Sequence, residues 1–275
     1  MASRFWVGGT GTWDTSDTTH WAATTGGAGG QSVPGASDTV TFDASSGGGT
    51  VTAAATVTSI TSLTMGAFTG TIDFSANNPN ITMGSFSGTG TATRTINLGN
   101  GTWTINGTSG TVWDFATTTN LTFNANSSTI VFSAASPTGS RTFNTGSRTY
   151  NVITLSAATT PTATAAFGTS GGPTIATFNM TGPNNWTIGT GTFTITNGFN
   201  WDQASSAAPL FLNGGAGSTI SSANNGSMSW AMLSAVTFSG GGTFSATNSN
   251  KVGPTTGITV TNPSASSGGA RVIGG

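Results

Sequence analysis

Cysteine is absent, so no disulfide framework, zinc cluster or cysteine nucleophile is available to this chain of 275 residues. Glutamate is absent as well, and all seven acidic residues are aspartates. Only 5% of the residues are charged, against about a quarter in an ordinary soluble domain. Six Lys or Arg against seven Asp leave a formal charge of −1, too weak a field to gather phosphate backbones, which argues against nucleic-acid binding. The one histidine, His20, sits in the N-terminal segment, so no serine triad is expected. Gly26–Gly30 lacks the lysine of a phosphate loop. Long apolar runs are missing too. Val7 is followed at once by Gly8, Gly9 and Thr10, which breaks any secretory leader, and no window approaches the ~18 apolar residues of a membrane helix. These features predict synthesis in a cytosol, with no export address and no membrane partner. Strong helix formers are scarce.

What is present is Thr at about one residue in five, 42 Gly, 16 Phe and 8 Trp. Disorder does not fit, because disordered chains are poor in aromatics and carry high net charge. Alternation dominates instead. Thr39-Val-Thr-Phe42, Thr71-Ile-Asp-Phe74, Thr102-Trp-Thr-Ile-Asn106, Leu121-Thr-Phe123 and Thr192-Phe-Thr-Ile-Thr196 place an apolar side chain at every second position. Period two sends those side chains to one face of a strand and the threonine hydroxyls to the other. Gly-Thr-Gly, Asn-Gly and Ser-Gly clusters between the runs supply turns. Ser227–Val236 is the nearest approach to a helix pattern, and it is not convincing.

Strands recurring every eight to ten residues without helices mean a sandwich, a barrel or a solenoid. Internal repeats favour the solenoid. Leu63-Thr-Met-Gly-Ala-Phe-Thr-Gly-Thr71 recurs as Ile81-Thr-Met-Gly-Ser-Phe-Ser-Gly-Thr89, and Gly99-Asn-Gly-Thr-Trp-Thr-Ile105 as Gly189-Thr-Gly-Thr-Phe-Thr-Ile195. The second pair closes with Trp113-Asp114 and Trp201-Asp202. The expected fold is an all-β solenoid, or β-helix, of roughly 20–28 residues per coil, with a β-sandwich as the alternative. Trp103, Ile105, Trp113, Phe193, Ile195 and Trp201 are the expected stacking core. Residues 1–45, with Trp6, Trp13 and Trp21, are expected to cap the open end of the solenoid or to present an aromatic docking patch. Residues 46–265 would form the solenoid and 266–275 a short tail.

Trp6-Val-Gly-Gly-Thr-Gly-Thr-Trp13, Trp21, Val33-Pro34 and Asp38-Thr-Val-Thr-Phe-Asp43 resemble the opening of autotransporter-associated β-strand repeats, an opening also found in bacteriophage virion proteins. Leu98–Ile105, Ser128–Phe132 and Arg141–Asn151 are similar to Gly/Thr-rich β-helical proteins of tailed phages. The likeness reaches to about residue 200. It implies a virion component such as a fibre, spike or capsid decoration, often trimeric. The lack of a leader and of a terminal membrane barrel departs from the autotransporter pattern.

Chemistry finds few candidates. Asp14, Asp17 and His20 could ligate a cation, but three ligands without a fourth favour turn capping. Asp73, Asp114 and Asp202 are the carboxylates a depolymerase would need, and Asp114 and Asp202 also suit turns. Thr91-Ala-Thr93-Arg-Thr95 and Thr162-Ala-Thr164 have the form of a water-ordering, ice-binding array, interrupted by Arg94. Trp186 and Trp230 could stack on host surface sugars, or lie in the core. The sequence therefore predicts a non-enzymatic virion protein without metal or cofactor. Its expected partners are its own copies, most simply as a trimer, other virion proteins and a host surface glycan. A polysaccharide-binding or depolymerising tailspike, and a secreted adhesin or ice-binding solenoid, are the alternatives.

Overall fold

A computed structural model describes residues 1–117, 119–133, 139–156, 164–167, 172–181, 185–201 and 209–263, with 164–166 and 181 by their backbone only. Among these residues every regular element is a strand apart from one 3-10 turn at Ala44–Ser46. The Ser227–Val236 stretch is two strands, Gly226–Ser229 and Ala231–Ser234, with Trp230 at φ 53° making the corner between them. The tail expected at 266–275 lies outside the described residues.

The strands pair in parallel, and parallel neighbours must be joined by a crossover rather than a hairpin. Here each crossover is the rest of a coil, so the chain winds into a β-solenoid. Two face-packed antiparallel layers are not what the pairing describes. Among the described pairings one is antiparallel, Ser3–Trp6 with Trp21–Ala22 at the N-terminal end.

The registers make continuous inward columns. Val40, Leu63, Phe86, Trp113, Phe143, Phe167 and Ile188 are successive partners on one face. Ile60, Met83, Ile105, Phe132, Leu155 and Met180 run up a second. Val51, Ile72, Ile96 and Phe123 begin the third. All but the half-buried Phe123 are buried. Burial of a large apolar side chain stabilises by about 1.5–3 kcal/mol, and these columns repeat that gain on every coil. The outward positions stack hydroxyls, as in Thr50, Thr71, Thr95 and Thr122.

The coils are uneven. Leu63 rests on Phe86, yet Trp113 reaches its partner Phe143 only after the longer excursion that includes Ser133–Ser140. That coil is longer than the sequence expectation, and Met232 to Asn250 is shorter. The internal repeats do not stack as the sequence suggested. Leu63 pairs with Phe86 and Ile81 with Trp103, on different faces. Trp103 pairs with Ile130, whereas Phe193 pairs with Ile220. The same apolar–polar–apolar strand serves any face, so local likeness does not fix position in the coil.

Candidate functional site

Residues 1–45 are continuous with the solenoid. Ser3–Trp6 lies on Thr39–Thr41, and Gly11–Trp13 on Thr50–Ala53. Trp21–Ala22 crosses antiparallel beside Ser3–Trp6 and closes that end. Trp6, Trp13 and Trp21 are all buried. Trp21 packs edge-on against Trp6, with centroids 5.1 Å apart, and against Trp13 at 5.4 Å. Trp13 reaches Phe74 of the buried core at 6.2 Å. The three indoles thus form a lid on the core and leave no exposed aromatic patch of their own.

The acidic groups beside the lid are occupied by turns. Asp14 accepts from the backbone N–H of Asp17 and of Ser16, both at 2.7 Å. Those amides hold its pKa below the usual carboxylate value. Asp17 accepts from the Thr19 hydroxyl at 2.6 Å and from its amide at 2.9 Å, which lower it likewise. His20 contacts the Val7 carbonyl through Nδ1 at 2.8 Å. Among the described residues no group of three or more His, Cys or Asp could hold a metal ion.

Asp73 and Asp114 face outward on different faces of the solenoid. Asp73 pairs in register with Asn97, and Asp114 with Ser87 and Asn144. Asp73 Oδ1 accepts from the Ser75 amide at 2.8 Å and from Asn97 Nδ2 at 3.4 Å. Asp114 Oδ1 accepts from the Ala116 amide at 3.2 Å and from Asn144 Nδ2 at 3.1 Å. Carboxylates on separate faces cannot flank one glycosidic bond. Asp202 lies outside the described residues.

The six expected stacking residues, Trp103, Ile105, Trp113, Phe193, Ile195 and Trp201, are all buried. Trp113 Nε1 donates to Tyr150 Oη at 3.2 Å, and Tyr150 Oη donates to the Thr145 carbonyl at 2.8 Å. Burial pushes the Tyr150 phenol pKa up. Of the two tryptophans considered for sugar stacking, Trp186 is buried and Trp230 is half-buried. Arg94, which interrupts the Thr91–Thr95 array in the sequence, is buried and points inward. Its guanidinium donates to the carbonyls of Gly88, Ala92 and Thr119. Arg141 is buried with its guanidinium 5.6 Å from the Phe143 ring. Thr162 lies outside the described residues.

Two features escaped sequence reasoning. The first is an amide ladder, in which Asn124 Nδ2 donates to Asn97 Oδ1 at 2.8 Å, above the Asn97–Asp73 contact. Its signal was readable as a recurring Thr-apolar-Asn within Arg94–Asn97, Leu121–Asn124 and Arg148–Asn151. The second is a pair of surface clefts of about 400 and 440 Å³, one beside Phe123 and Asn124 and the other beside Phe199 and Asn200. Each lies where a sheet face loses its regular pairing.

Among the described residues no helix is long and apolar enough to cross a membrane. Compared with family models, curated proteins and solved structures, the chain finds no match.

Proposed function

We propose that this chain is a non-enzymatic structural component of a bacteriophage particle, a fibre, spike or capsid decoration, built as a stiff and nearly uncharged rod. The observation that carries the reading is the unbroken buried column from Val40 to Ile188, sealed at its N-terminal end by Trp6, Trp13 and Trp21. Such a column resists local opening, because each coil's inward side chains lie against those of the coils above and below. The N-terminal likeness to phage virion proteins supplies the setting.

The aspartates support a mechanical role over a hydrolytic one. Asp14, Asp17, Asp73 and Asp114 accept hydrogen bonds from neighbouring turn amides or ladder asparagines. Solenoids also need their exposed edges covered, which favours self-association, most simply as a trimer, or seating on another virion protein.

Antibody labelling of purified particles from cells carrying the gene tests this reading. Gold at the tail or on the capsid surface in electron micrographs is the expected result. Particles free of the protein by labelling and by mass spectrometry would overturn it.

A further inference from the structure

The two clefts are built alike. On the third face the strands Thr71–Asp73, Arg94–Asn97 and Leu121–Asn124 pair in turn, and the sheet ends at the last. The amide ladder ends with it. The sequence repeat would set Asn151 over Asn124, but Asn151 Nδ2 donates to the Ser128 carbonyl at 3.4 Å. Asn124 lines the first cleft, and among the described residues its Oδ1 accepts no hydrogen bond. On another face Thr154, Asn179 and Asn200 are successive partners, and Asn179 Nδ2 donates to Thr154 Oγ1 at 3.3 Å. Asn200 lies in register on Asn179, among the described residues the isolated bridge Trp201–Met228 follows it, and the second cleft opens there.

Each cleft therefore pairs the last asparagine of a register stack with the phenylalanine before it. Phe123 is half-buried and held in place by Phe115 and Tyr150, with centroids 5.1 and 5.2 Å away. Phe199 is half-buried against Trp201 and Phe244, at 5.1 and 5.6 Å. Around the first ring stand Asn126, Thr149 and Asn151, and around the second Ser227, Ser229 and Thr247. Among the described residues lining the two clefts none is charged.

This chemistry selects its ligand. The described lining offers no carboxylate to a metal ion and no cation to a phosphate or uronate. A peptide adding to the Leu121–Asn124 edge would need the Leu121 carbonyl, which already accepts from Arg148 Nη1 at 3.2 Å. Amide and hydroxyl groups beside an aromatic ring suit a molecule with many neutral hydroxyls and one apolar face. The volumes lie within the range of small-molecule sites, about 300–1,000 Å³. We infer that the Phe123–Asn124 and Phe199–Asn200 clefts are two subsites for neutral sugar rings, with sugar hydroxyls hydrogen-bonding to the side chains of Asn124 and Asn200. The inference stands without the virion reading.

Affinity electrophoresis of the full chain through gels containing dextran, mannan or galactan tests it, with alginate as the acidic comparison. Retardation in at least one neutral gel and none in alginate is expected. Asn124→Ala and Asn200→Ala should each weaken binding about tenfold, and the double variant should migrate freely with an unchanged thermal midpoint. If the double variant misfolds, Thr149→Val with Thr247→Val gives the same readout from the opposite walls. Free migration of the native chain in all three neutral gels, retardation by alginate alone, or retardation that survives the cleft substitutions in a folded variant would overturn the inference.

Discussion

The imidazole of His20 lies flat on the indole of Trp6, with centroids 4.5 Å apart and planes 3° from parallel. Gly11 makes room for it: a Cβ at that position would sit 2.5 Å from His20 Nε2. Gly11→Ala should therefore push the imidazole off its indole and destabilise the chain by about 1–3 kcal/mol. Gly66→Ala, where a Cβ meets nothing within 4 Å, should change stability by less than about 1 kcal/mol. Urea unfolding of the two variants checks the contrast, and equal midpoints would count against the lid packing.

The Trp113–Tyr150–Thr145 chain of hydrogen bonds makes a second prediction. Tyr150→Phe keeps the ring but strands the Trp113 N–H and the Thr145 carbonyl in the core, costing about 1–3 kcal/mol. Trp113→Ala removes a full member of the column and should cost about 3–5 kcal/mol. Thermal unfolding of both should show the alanine variant melting lower.

Much of this architecture was legible in the sequence, for a definite reason. At Thr102-Trp-Thr-Ile105 the side-chain period of two decides which residues face inward, whatever lies next to the strand. Trp103 and Ile105 are buried as that rule requires. The same rule is silent about which face a strand occupies. Leu63 and Ile81 open near-identical nonapeptides, yet they sit on different faces because the corners between strands, not the strands, set the winding. Corner geometry depends on residues such as Trp230 and Ala235, whose positive φ carries no sequence signature. The clefts were illegible for a related cause. Phe123-Asn124 and Phe143-Asn144 read alike, but Phe143 finds a partner strand at Phe167 and Phe123 stands at a sheet end.

The amide ladder predicts a pH effect in a variant. Asn97 lies between Asp73 and Asn124, 3.4 Å from the Asp73 carboxylate. Asn97→Asp sets two carboxylates against each other, which raises the folded pKa of one of them. A raised folded pKa means that the penalty is absent below the unfolded pKa and grows as pH rises through it. The variant should match the native chain near pH 3.5 and melt below it at pH 7. A melting difference independent of pH would contradict the ladder.

The native lid should show the opposite sign. Asp14, Asp17 and Asp38 are all held below 3.8, each chiefly by hydrogen bonds from its own turn: the Asp17 amide, the Thr19 hydroxyl and the Gly35 amide respectively. Asp38 Oδ1 also accepts from the Ala2 amide at 2.7 Å, tying down the first strand. Depressed carboxylates stabilise above their unfolded pKa and lose that contribution as pH falls through the folded one. The lid should loosen below about pH 4. A red shift of tryptophan emission on acidification, reduced in Asp38→Asn, is the expected signal, and unchanged emission down to pH 2 would refute it.

Arg94 tests how a nearly uncharged rod tolerates a buried charge. Its guanidinium satisfies the carbonyls of Gly88, Ala92 and Thr119 at the corner between two faces. Burial and the nearby Arg148 both lower its pKa, but a guanidinium stays protonated at any ordinary pH. Lysine carries the same charge without the planar fork, so it cannot reach three carbonyls at once. Arg94→Lys should thus be destabilising by about 2–4 kcal/mol, because the charge stays buried while its partners are lost. Arg94→Met removes the charge together with the bonds and should cost less than the lysine variant. Chemical denaturation of the pair gives the order directly: a lysine variant more stable than the methionine variant would mean that charge, and not the geometry of the fork, is what this corner requires.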